Sequence, residues 1–90
     1  MNSILAEIEL ALGTVQQTLD TLTARGNHEA AFDIARAQYV ASIRSSWPQN
    51  LGSLVKALDV VQADPQSKLT NEERAKVRAA AETLRRAVGQ

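Results

Sequence analysis

Apolar residues at the start of the chain fall at Met1, Leu5, Ile8, Leu12, Val15, Leu19 and Leu22, with gaps that alternate four and three. That is a heptad seam. It predicts a helix from Ser3 to Arg25, stopped by Gly26-Asn27. Leu5, Leu12 and Leu19 take a positions, and Ile8, Val15 and Leu22 take d positions. Leucine at a with β-branched residues at d favours packing of three or four helices over a two-stranded zipper. The flanking positions Ile4, Ala11 and Thr18 on one side, and Glu9, Gln16 and Thr23 on the other, hold a single charge. A zipper carries complementary charges there, so the seam reads as one wall of a bundle, with Leu12 and Leu19 in its core.

The second predicted helix is capped by Asn27 and runs over 28–46. At 100° per residue, His28, Ala31, Phe32, Ala35, Tyr39, Ile43 and Trp47 converge on one side, which marks the expected core arc. Ile34 and Val40 fall outside that arc, so the helix offers apolar residues on a second flank. Pro48 loses a helical hydrogen bond and clashes with the preceding turn, so it is placed in the first turn of a third helix over 48–62. Leu51, Leu54, Val55, Leu58 and Val61 form the stripe of that helix. A loop, Ala63-Asp64-Pro65-Gln66-Ser67, leads to a capping box in which Thr70 caps and Glu73 answers. The fourth helix covers 71–88, with Val77, Ala80, Ala81, Leu84 and Val88 inward. No stretch shows the alternation of a strand. The fold class is all-α: a four-helix antiparallel bundle with helices over 3–25, 28–46, 48–62 and 71–88, in one domain spanning 1–90.

The segment Arg25 to Ala31 has the glycine turn of a tetratricopeptide repeat. The small and aromatic positions expected upstream are missing and no second copy follows, which excludes a repeat array. The stretch from Gln16 to Ile43, a hairpin punctuated by Gly26, resembles in outline the short flagellar export chaperones, without a diagnostic motif. That resemblance implies a protein-binding role.

Composition removes whole classes of chemistry. With 90 residues and no cysteine, disulfide scaffolds, zinc fingers and thiol catalysis are excluded. One histidine cannot build a typical zinc site or supply the Glu-x-x-His pairs of a di-iron bundle. His28 is the only candidate for acid–base chemistry or phosphotransfer, and its place at a helix start favours packing against the end of helix one. Glu29, Asp33 and Arg36 read as a solvated surface network. The four glycines are scattered at 13, 26, 52 and 89, so no phosphate-cradling loop exists. The chain reads as a non-enzyme with no metal and no cofactor.

Charge is balanced overall but not along the chain. Residues 1–34 hold five acids and one base, and residues 65–90 hold six bases and three acids. On helix four, Arg74, Arg78 and Arg85 align beside the apolar stripe. They are either a docking strip for an acidic partner or phosphate backbone, or the intramolecular counterpart of acidic helix one. Nucleic acid is disfavoured, because helix three offers Lys56 alone as a base. The aromatics Phe32, Tyr39 and Trp47 are read first as core. Their alternative is an exposed patch, since such residues are enriched at binding hot spots, and Trp47 at its corner is the one most exposed.

No apolar run exceeds three residues, far short of the about 20 that cross a membrane. The first twelve residues lack a basic start and include Glu7 and Glu9, unlike a secretory signal; the cytoplasm is the expected location. The expected function is a small helical protein–protein interaction module, an adaptor, inhibitor or chaperone-like protein. The alternatives are a self-associating structural module or a nucleic-acid accessory protein using the arginines. Candidate partner-binding residues are Ile34, Val40, Trp47, Arg74, Arg78 and Arg85. A homodimer through helix one or two is expected on two grounds. The first helix is too long for the third to cover, and Ile4, Ala11, Ile34 and Val40 add apolar width.

Overall fold

The computed structural model describes residues 3–43 and 51–89, with side chains over 6–41 and 51–89. Four helices appear: α1 (Ser3–Ala24), α2 (His28–Ile43), α3 (Gly52–Ala63) and α4 (Asn71–Val88). No strand occurs among the described residues. Pro48, the expected start of α3, and Trp47 lie outside the described residues. The helices form a ring in which α1 packs against α2 and α4, and α3 packs against the same two. Short connections alternate their directions, giving the antiparallel bundle that the periodicity predicts.

Local chemistry explains the boundaries. Gly26 takes φ +81°, a left-handed conformation that glycine adopts without steric cost. The Gly26 N–H then donates to Thr23 O (3.1 Å), and the Asn27 N–H to Leu22 O (2.9 Å), closing two α1 carbonyls. Asn27 caps α2, its Oδ1 accepting from Ala30 N at 3.3 Å. At α4, Thr70 Oγ1 accepts from Glu73 N (3.1 Å) and Glu73 Oε1 accepts from Thr70 N (2.8 Å), the predicted capping box.

The core joins Ile8, Val15 and Leu22 of α1, Ile34 of α2, Leu54, Leu58 and Val61 of α3, and Val77 and Leu84 of α4. The d positions of the α1 seam are therefore buried as expected. Two of the a positions are not: Leu12 and Leu19 are half-buried at the edge, while Ala11 and Thr18 are buried in their place; the Leu5 side chain lies outside the described residues. The inward face is rotated by about one residue because small side chains at 11 and 18 let α1 approach α4, which presents Ala80 and Ala81. Thr18 tolerates burial because its hydroxyl donates to Thr14 O at 2.8 Å. Since the neighbours of α1 are α2 and α4, the shortness of α3 leaves no stretch of α1 uncovered by itself. Ala11 is in the core, and the Ile4 side chain lies outside the described residues.

One end of the bundle is tied by side chains from the α1–α2 turn and the α3–α4 loop. Arg25 donates to both oxygens of Glu73 (2.5 and 3.0 Å) and to Lys68 O (2.8 Å). Lys68 stands at φ 70°, unusual for a residue with a side chain. Its ammonium returns a bond to Arg25 O at 3.2 Å, and Asn27 Nδ2 donates to Ser67 O at 3.0 Å. The Arg25 guanidinium, then the Thr70 backbone N–H, holds the Glu73 carboxyl down from 4.5 to about 2. The folded chain thus binds this proton more weakly than the unfolded chain. The stabilising contribution is complete above pH 4.5 and is lost as pH falls toward about 2. The melting temperature of the wild type should fall more steeply over that window than that of Glu73→Gln; parallel slopes would remove this role of Glu73.

Candidate interaction surface

Helix α2 carries two apolar faces. The inner one consists of Ala31, Ile34, Ala37 and Ala41, all buried. The outer one carries Phe32 and Tyr39, 63% and 65% exposed, with Ala35 half-buried between them. The arc expected in the core is thus split: Ala31 belongs to the core, whereas Phe32 and Tyr39 face outward. His28, expected to pack against the end of α1, is exposed as well. The physical reason is spacing. Alanines on the inner face let α2 lie close to α1 and α3, and a close approach leaves no room for an aromatic ring.

The six candidate partner-binding residues are scattered. Ile34 is fully buried, so it cannot meet a partner. Val40 is half-buried and lines an open groove of ≈ 520 Å³ between α2 and α3, beside Ala37, Ala57 and exposed Val60. Trp47 is not among the described residues.

The three arginines reach along the surface to α3, Arg74 half-buried and Arg78 and Arg85 exposed. Arg74 donates to Gln62 O and Asp64 O, both at 2.7 Å, satisfying carbonyls at the end of α3 where helix polarity favours a cation. Arg78 reaches Gln62 Oε1 at 3.3 Å, and Arg85 pairs with Asp59 at 2.6 Å. Their partner is α3, not acidic α1. The α3–α4 loop brings those two helices side by side, whereas a charge count along the chain cannot identify neighbours.

Charges along the α2–α3 groove are segregated. Glu29, Asp33 and Asp64 line the end near the α1–α2 turn, while Arg36 and Lys56 lie farther along. No ion pair joins any of these five to another described residue. The face toward α1 is uncharged at this level, with Leu12, Ala35, Gln38 and Tyr39 around a hollow of ≈ 490 Å³. Phe32 and Tyr39 therefore stand between a charged flank and a neutral one. Of the two places the sequence leaves open for these rings, core or exposed patch, Phe32 and Tyr39 take the second. Among the described residues no group of three or more His, Asp or Glu side chains is placed to hold a metal ion. None of their helices is long and apolar enough to cross a membrane.

Comparison with family models, with curated proteins and with solved structures finds no match to this chain. The resemblance of Gln16–Ile43 to flagellar export chaperones accordingly stays one of hairpin outline.

Proposed function

We propose that this protein is a non-catalytic, cytoplasmic helical module that binds another protein surface through the outer face of α2. The observation that carries this reading is the exposure of Phe32 and Tyr39 on one stripe, where water contacts two aromatic rings seven residues apart. Aromatic side chains yield much of the energy at protein interfaces when they enter a desolvated pocket. The lone histidine, exposed at a helix start, has no nucleophile or metal constellation around it among the described residues. Nucleic-acid binding through Arg74, Arg78 and Arg85 is less favoured, since their guanidinium groups already serve α3.

The test is capture by the immobilised protein from its native host, followed by direct titration of each captured protein in pure form. Binding by wild type that weakens about tenfold or more with Phe32→Asp supports the reading. Equal binding by the two proteins, or none by either, overturns it.

A further inference from the structure

The charge pattern beside the aromatic stripe points to a specific occupant. We infer that the outer face of α2 pairs with the same face of a second copy of this chain, antiparallel about a two-fold axis midway between Asp33 and Arg36. This rests on the reading of that face as a protein-binding surface.

Flank geometry selects the direction. In an antiparallel helix pair about a two-fold axis, each flank meets the same flank of the other helix. In a parallel pair it meets the opposite flank. The flank toward α3 carries Glu29, Asp33 and Arg36, and the flank toward α1 carries Ala35 and Gln38. Parallel pairing sets charges against neutral groups. Antiparallel pairing sets the acidic end of the groove, with Glu29, Asp33 and Asp64, against the basic end of the second copy, with Arg36 and Lys56. All five of these groups lack an ion-pair partner among the described residues, so the pairing breaks no described ion pair within the protomer.

The register follows from the same axis. Asp33 stands level with the second copy's Arg36, and Phe32 lies about 3 Å along the axis from the level of the second copy's Tyr39, at 1.5 Å per residue. Each aromatic ring thereby gains an aromatic neighbour across the helix pair, offset along the axis by less than one helical turn. The 16-residue helix is about 24 Å long. A contact of that length falls below the roughly 1,200 Å² of a standard interface, so the dimer is weak and reversible, in the micromolar range.

Sedimentation equilibrium between about 1 and 500 µM, the range such a small interface calls for, tests the inference. Wild type should pass from monomer to dimer, and Phe32→Ala should raise the dissociation constant about tenfold or more. Asp33→Arg and Arg36→Asp should each weaken the dimer, and the double exchange Asp33→Arg/Arg36→Asp should restore it. Thermal melts verify that each variant is folded; these positions are exposed, and Lys56→Glu is a second charge reversal on α3 with the same expected weakening. A monomer throughout, a dimer indifferent to Phe32, or an exchange that fails to restore association overturns the inference. A monomeric chain that still binds a different protein through Phe32 leaves the interaction reading intact, so the two failures are distinguishable.

Discussion

Ile34→Asp is expected to unfold the protein, whereas Phe32→Asp, two residues away on the same helix, leaves it folded. Ile34 is completely buried in the core that the four helices share. Removing its branches alone costs about 2–5 kcal/mol. A carboxyl group in that position must in addition be stripped of water with no described cation beside it, which adds several kcal/mol. The total is comparable with the whole stability of a ninety-residue domain, about 5–13 kcal/mol. Phe32 is 63% exposed, so Phe32→Asp loses little burial, and the two residues have nearly equal helix propensity. Circular dichroism and thermal melts of the two variants decide the matter. A folded Ile34→Asp beside an unfolded Phe32→Asp would reverse the two faces of α2.

That pair of variants also marks the point where sequence pattern ceases to specify the fold. The end of α1 and the starts of α2 and α4 were legible because each is set by one or two residues with local chemistry: Gly26 with its left-handed φ, Asn27 as a cap, and the reciprocal Thr70 and Glu73 bonds. The inward face of α2 was not legible, because periodicity weighs large apolar side chains most heavily. The core side of this helix is built from alanines around one isoleucine, and the large rings lie outside. A similar bias displaced the α1 face by one position, favouring Leu12 and Leu19 over Ala11 and Thr18. Burial there is set by how closely α4 approaches, and small residues permit the closest approach. The arginine stripe was legible as a stripe, but its partner was not. Arg74 and Arg78 bond chiefly to carbonyl oxygens and an amide of α3, which contribute nothing to a charge count. Phe32 and Tyr39 were legible as a group whose spacing is common to a core and a binding surface; exposure alone separates the two.

Leu22→Ala is expected to destabilise the protein by about 2–5 kcal/mol, and Leu12→Ala by about half as much. The two leucines belong to the same seven-residue seam, so their chemistry and helix propensities are matched. Their surroundings differ. Leu22 is fully buried in the last turn of α1, where Gly26 and Asn27 close the helix against its carbonyls and hold the backbone in place. A cavity left there cannot collapse readily, and cavity volume adds to the lost transfer energy. Leu12 is half-buried at the rim beside Ala35 and Tyr39, where the hollow is open and water replaces the missing methyl groups. At about 4–8 °C per kcal/mol for a domain of this size, Leu22→Ala should lower the melting temperature by roughly 8–40 °C and Leu12→Ala by about half of that. Urea denaturation of both variants, with midpoints compared at equal slopes, measures the difference. Equal losses would return Leu12 to the centre of the core and undo the rotation of α1 toward α4.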